Sequence, residues 1–339
     1  MIINIFLFLL GLVLLLKSSD VFIKHTSIIA KKIGISDFVI GLTLVAVGTS
    51  LPELVSVIFA SAKNQSEIIL GSIIGSNITN IGLIGGVIGI LAITKTKSNL
   101  KKRDLMIMIF ATILLYIFMI DRVINLFEGA SFLVLYLAYL VFLLDTKKED
   151  KRGFENFLIF LAKFKYITVI KAKIKKAKIS PERKEKRYLL INLLIIIFTG
   201  IAIFYGAKLL IEQTIFFGEF LGISKTIIGL TAIALGTSLP ELGVSISAVK
   251  KGLGEIAIGN IIGSNISNIL LVIGTSTLIN NIFVDKLTLY YSSIFLIFIT
   301  LMFWFLMKTD NKLKRKEGVI LLVIYIFFLI SLIIIKPIV

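Results

Sequence analysis

Long apolar stretches, separated by short polar clusters, recur along the whole of this 339-residue chain. Tyr188–Tyr205, Tyr290–Met307 and Val319–Lys336 each reach or approach the roughly 20 residues that an α-helix needs to cross a bilayer. Their density and length favour helices over barrel strands, which alternate over about 10 residues. The pattern predicts an all-α integral membrane protein with ten spans, at 2–31, 38–62, 68–92, 104–120, 126–144, 188–220, 225–249, 256–279, 287–307 and 317–336. The first and sixth are long and polar in their second halves, as strong tilt or an interfacial end would accommodate. Met1–Leu16 has the apolar core of a signal peptide without a basic start or a small-residue cleavage site, and reads as part of the first helix.

Composition agrees, at 57% hydrophobic residues. The formal net charge of +17 would suit a nucleic-acid partner, but in a polytopic chain it reads as positive-inside loops, with no nucleic acid involved. Its distribution bears this out. Lys31 and Lys32 follow the first span, Lys95 to Arg103 the third, Lys250 and Lys251 the seventh, and Lys308 to Lys316 the ninth. Residues 145–187, after the fifth, hold 15 Lys/Arg against 6 Asp/Glu. The breaks after even spans are poor in positive charge. Odd breaks are therefore expected in the cytoplasm, with both termini outside the cell membrane.

An internal repeat organises the chain. Residues 36–81 align without a gap on 224–269 at a constant offset of 188, with 27 of 46 positions identical, Gly, Thr, Ser, Pro, Glu and Asn among them. Five spans per half is an odd number, so the second copy must enter the membrane upside-down. The expected units are a first five-helix repeat at 1–144, a basic cytoplasmic linker at 145–187 and a second five-helix repeat at 188–339. Within the linker, Phe157–Lys178 reads either as a basic amphipathic helix on an anionic inner leaflet or as a solvated connector.

The repeated core carries polar motifs inside apolar spans. Gly48-Thr49-Ser50-Leu51-Pro52-Glu53-Leu54 returns as Gly236-Thr237-Ser238-Leu239-Pro240-Glu241-Leu242. A mid-membrane glutamate is costly and usually functional. Thr49 and Glu53, four apart, share a helix face. Pro52 crowds the Gly48 carbonyl, so a kink is expected, with carbonyls loosened around Ala46 and, in the second copy, Ala234. Carboxylate, hydroxyls and carbonyls within a turn are what hard cations require. The plainer alternative has Thr and Ser bonding back to their own turn, with Pro merely kinking the span. It does not account for the glutamates, since no Lys or Arg lies near mid-span. The partner motif, Gly71 to Asn80 and Gly259 to Asn268, places Ser76 with Asn80, and Ser264 with Asn268, on one face each; these are ligands or interhelical glue. Gly82, Gly85, Gly86 and Gly89 read as packing glycines. With no cysteine and His25 the only histidine, any metal must be held by oxygen.

Paired twice in an inverted five-plus-five arrangement, GTSLPEL and GSNxxN resemble the α-repeats of the calcium/cation antiporter superfamily, and among them prokaryotic sodium/calcium exchangers. The resemblance implies ten helices, four of them central, with ion sites midway through the bilayer and two long tilted helices that slide to alternate access. Carried over by motif, Glu53 and Glu241 would be shared ligands of Ca2+ and Na+. Thr49, Ser50, Thr237 and Ser238 would line the sodium sites. The carbonyls of Ala46 and Ala234, with Ser76, Asn80, Ser264 and Asn268, would complete the coordination. Some members have Asp where this chain has Asn268, so only two carboxylates are expected here, balancing one Ca2+ or two Na+. The implied activity is Na+/Ca2+ antiport by a monomer in the lipid bilayer, without cofactor and without enzymatic chemistry. A Ca2+/H+ antiporter and a cation channel are the alternatives.

Overall fold

The computed structural model describes residues 2–32, 49–91, 94–95, 98–145, 153–167, 169, 183–250, 252, 254–308 and 312–335. The helices fall where the apolar stretches predict them. They are α1 (Ile2–Lys32), α2 (Leu51–Ala62), α3 (Ser66–Leu91), α4 (Ser98–Phe118), α5 (Leu126–Asp145), α6 (Phe154–Ala162) and α7 (Arg183–Leu221). After them come α8 (Lys225–Thr237), α9 (Leu239–Lys250), α10 (Gly254–Thr277), α11 (Thr288–Lys308) and α12 (Arg315–Ile335). Among the described residues six helices (α3, α5, α7, α10, α11 and α12) are long and apolar enough to cross a membrane, and the bent pair α8–α9 makes a seventh.

Three expected spans meet that standard less fully. In the first, the apolar part of α1 is Ile2–Leu15. In the second, α2 supplies only Leu51–Ala62, and residues 38–48 lie outside the described ones. In the fourth, α4 opens on Lys101, Lys102, Arg103 and Asp104. Arg103 and Asp104 are buried there as a two-bonded ion pair, at 2.8 and 3.0 Å, with the guanidinium 5.4 Å from the Phe142 ring centroid. The two long expected helices are long, at 31 residues for α1 and 39 for α7.

Burial separates centre from periphery. In α3 and α10, the carriers of the GSNxxN motifs, 83% of an apolar 18-residue stretch is buried, against 22% of one in α7 and 28% of one in α12. Glycines set the central packing. A Cβ at Gly75 would stand 2.6 Å from the Leu230 carbonyl oxygen of α8, and one at Gly71 equally close to that of Thr226. Gly86 and Gly89 of α3 meet Gly318 and Leu322 of α12 in the same close way, as packing glycines should.

Two short antiparallel ribbons join the halves. β1 (Thr94–Lys95) pairs with β4 (Lys312–Leu313), and β2 (Val123–Ile124) with β3 (Ile282–Phe283). Each joins breaks of the same parity, after the expected third and ninth spans and after the fourth and eighth. The repeat offset of 188 carries β1 onto β3. Side chains repeat the relation. Tyr136 of α5 meets Ser267 at 3.1 Å, and Tyr325 of α12 meets Thr79, the counterpart of Ser267, at 3.3 Å.

Part of the linker is described. α6 turns Phe157 and Phe160 inward against Phe142, with ring centroids 5.5 and 5.2 Å apart, so this face docks on protein rather than lipid. Within the expected amphipathic stretch, residues 168 and 170–178 lie outside the described ones.

Candidate ion site

Both glutamate motifs stand at the start of a new helix. α2 begins at Leu51 and α9 at Leu239, each preceded by a serine with nearly the same backbone, Ser50 at φ −83°, ψ 7° and Ser238 at φ −83°, ψ 3°. Between α8 and α9 the axis bends by 42°. The break therefore falls at the serine. Proline occupies the first turn of the next helix, where its missing N–H costs nothing. The sequence places the kink at the proline and expects loosened carbonyls upstream. In the second copy Ala234 keeps a helical bond, its carbonyl accepting the Ser238 amide at 3.1 Å; one lone pair of that oxygen remains. Ala46 lies outside the described residues.

Glu53 and Glu241 are fully buried and near enough to repel one another. Among the described residues no lysine or arginine pairs with either. Each carboxylate is faced by a serine of its own half and a threonine of the other. Ser76 lies 3.5 Å from Glu53 and 3.4 Å from Thr237, and Thr237 and Ser238 also face Glu53. Ser264 lies 3.4 Å from Thr49, and both face Glu241. The offset of 188 converts Glu53, Ser76 and Thr237 into Glu241, Ser264 and, on returning to the first half, Thr49.

Several of these oxygens have no hydrogen-bond partner: Glu53 Oε2, both carboxylate oxygens of Glu241, and the hydroxyls of Ser50 and Ser238. Orphaned buried carboxylate oxygens are expensive, and a hard cation is the partner that satisfies several of them together. Among the described residues no cluster of three or more acidic, His or Cys side chains exists.

Asn80 and Asn268 sit one on each central helix, each opening a short π-helical segment, Asn80–Ile84 and Asn268–Ile273. Both are buried. Asn80 has neither polar atom bonded, whereas Asn268 donates to Asn77 Oδ1 at 3.0 Å and leaves its own Oδ1 unpartnered. Two further residues belong to this core. Asn77 joins the halves, donating to the Asn265 carbonyl at 3.4 Å. Asn260 donates to the Glu241 carbonyl and to Ser245 Oγ, at 3.3 and 3.1 Å, and accepts from Thr49 at 3.4 Å. The available signal for Asn260 is a mismatch in the repeat, where its counterpart is Ser72.

The family model described as "Sodium/calcium exchanger protein" matches residues 3–144 and 191–334. The chain is 42% identical to the sodium/calcium exchanger MaX1 of Methanosarcina acetivorans, over 97% of this chain and 98% of that protein. It is 31% identical to the uncharacterized membrane protein MJ0091 of Methanocaldococcus jannaschii, over 96% of each. Among solved structures, the sodium-calcium exchanger NCX_Mj soaked with Na+ and Sr2+ superposes with a TM-score of 0.64 at 30% identity, covering 97% of this chain and 99% of that one. On the doubled motif, the fold and these matches, the chain belongs to the sodium/calcium exchanger family.

Proposed function

We propose that this protein exchanges Na+ for Ca2+ across the cell membrane by alternating access, with Glu53 and Glu241 as ligands that both ions share. The observation that carries this reading is the pair of buried, unpaired carboxylates, one from each half, each faced by hydroxyls of both halves. Their two negative charges match one Ca2+ or two Na+, so the ions compete for one centre and Na+ displaces Ca2+. Thr49, Ser50, Thr237 and Ser238 supply neutral oxygens suited to Na+. Ser76, Asn80, Ser264, Asn268 and the carbonyls of Ala46 and Ala234 complete the shell. The membrane arrangement proposed is ten spans, five in residues 1–144 and five inverted in 188–339, joined by the cytoplasmic linker 145–187. Both termini lie outside, and one monomer contains the whole pathway. The same-parity ribbons and the paired Tyr136 and Tyr325 contacts support the inversion. The names of the relatives support an exchanger rather than an enzyme.

The test is 45Ca2+ uptake into vesicles holding the purified protein, driven by an outward Na+ gradient with pH clamped on both sides. Uptake that needs the Na+ gradient is expected. Uptake driven only by a proton gradient would make the protein a Ca2+/H+ antiporter. Flux without any counter-ion would make it a channel.

A further inference from the structure

Asn77 of α3 follows Ser76, and Asn268 of α10 stands four residues beyond Ser264, on the helix face that Ser264 turns toward Glu241. An asparagine amide offers a cation opposite things at its two ends, an oxygen that attracts it and an NH2 that repels it. Which end Asn268 presents is settled by a chain of contacts that starts at the backbone. The Asn265 carbonyl can only accept, so the end of Asn77 that faces it at 3.4 Å is the NH2. That contact is long, yet it need only sort the two ends, since the flipped amide would set oxygen against oxygen there. Asn77 Oδ1 is then the atom that meets Asn268. It too can only accept, so Asn268 turns its own NH2 to it, donating at 3.0 Å. Asn268 Oδ1 is left at the opposite end, fully buried and without a partner. The other half lacks this relay. Asn265, the counterpart of Asn77, donates to the Ile261 carbonyl of its own helix at 2.7 Å, and Asn80, the counterpart of Asn268, bonds through neither end. No hydrogen bond decides which end Asn80 presents.

We infer that Asn77 is a positioning residue that fixes the Asn268 amide with its oxygen, not its nitrogen, offered to the bound cation. The inference rests on the exchange reading above. Asn77 itself holds no ion; it acts through Asn268, and its own aim is taken from a backbone carbonyl of the opposite half. Hard cations accept a neutral amide oxygen as a ligand, so a held Asn268 adds to the shell where a turned one would oppose it. An aspartate at this position would offer an oxygen whichever way it lay. An asparagine does so only when held.

The experiment measures equilibrium 45Ca2+ binding to the purified full-length protein in detergent at alkaline pH. Asn77→Ala should raise the Ca2+ concentration for half-saturation about three- to tenfold, the fold-change carried by one interaction of hydrogen-bond size. The decisive comparison repeats the change in Asn268→Asp, whose side chain has two oxygens and no NH2 to misdirect. In that background Asn77→Ala should cost less than about twofold. A merely structural role for Asn77 would cost the same in both backgrounds. Wild-type affinity in Asn77→Ala, or equal losses in the two backgrounds, would overturn the inference. If Asn77→Ala does not fold, Asn77→Ser, whose short hydroxyl can bond back to its own turn but cannot span to Asn268, should show the same pattern; wild-type affinity there overturns it as well. A wild-type protein that binds no 45Ca2+ would sink the exchange reading and this inference together, whereas normal wild-type binding with an unaffected Asn77→Ala sinks the inference alone.

Discussion

The Glu53 arm and the Glu241 arm of the site are built from one sequence motif, yet they are held differently. Both glutamates ride the first turn of a helix that restarts at a serine, and both face a serine from their own half and a threonine from the other. Around Glu241, however, Asn260 bonds the backbone and gathers Ser245 and Thr49, while around Glu53 the corresponding Ser72 bonds nothing. The asparagines nearby diverge as well. Asn268 is tied to Asn77, and Asn80 is tied to nothing. The repeat therefore fixes which atoms meet, and the mismatched polar positions fix how firmly. Equal charge on two unequally held arms gives a site whose halves need not respond alike to the same ion.

The largest expected effect tests where the arms are equal. Glu53→Gln and Glu241→Gln should each lower Na+-driven Ca2+ uptake in vesicles by about two orders of magnitude, as loss of a charged ligand implies, while the protein still purifies folded. Substantial exchange in either variant would break the equivalence of the arms. Next comes the contact between the central helices. Gly75→Val puts a side chain where a Cβ already meets the Leu230 carbonyl at 2.6 Å, and should cost about 1–3 kcal/mol in detergent unfolding. A smaller effect is expected of Asn268→Asp, which adds a third carboxylate beside Asn77. Flux in this variant should match wild type at low pH, where the new group is protonated and neutral like asparagine, and depart from it as pH rises and the charge appears. A wild-type pH profile would show that Asn268 lies outside the field of the ions. The smallest test is the most symmetrical. Tyr136→Phe and Tyr325→Phe remove equivalent bonds to Ser267 and Thr79, and each should cost about 1 kcal/mol of stability. Clearly unequal costs would limit the likeness of the halves to the motif helices.

Much of this was legible in the chain itself. Hydropathy located the helices, since each long apolar run needs its backbone bonded internally wherever lipid surrounds it. The doubled motif located both glutamates, but the shared helix face it offers pairs Thr49 with Glu53, whereas the fold sets Thr49 against Glu241 and Thr237 against Glu53. What stayed hidden depends on partners far away in sequence. Thr94 and Leu313, or Asn260 and Thr49, are neighbours only after folding, and neither pair has a local signature. The docking of Phe157 on Phe142 was hidden for a related reason: an apolar helix face reads the same whether it will meet lipid or protein. The break falls at the serine rather than the proline because proline is tolerated in a helix's first turn, a context that its crowding of the carbonyl four residues back does not reveal.

The ribbons β1–β4 and β2–β3 are two residues long on each side, but as two separate sheets they join the halves twice. A clam-like parting of one half from the other would tear both seams at once. Under the exchange proposed above, openings would change by shifts of members outside both ribbons, and α1 and α7 belong to neither. In that proposal, the small cross-strand hydrogen bonds of the ribbons would help choose which kind of motion remains available.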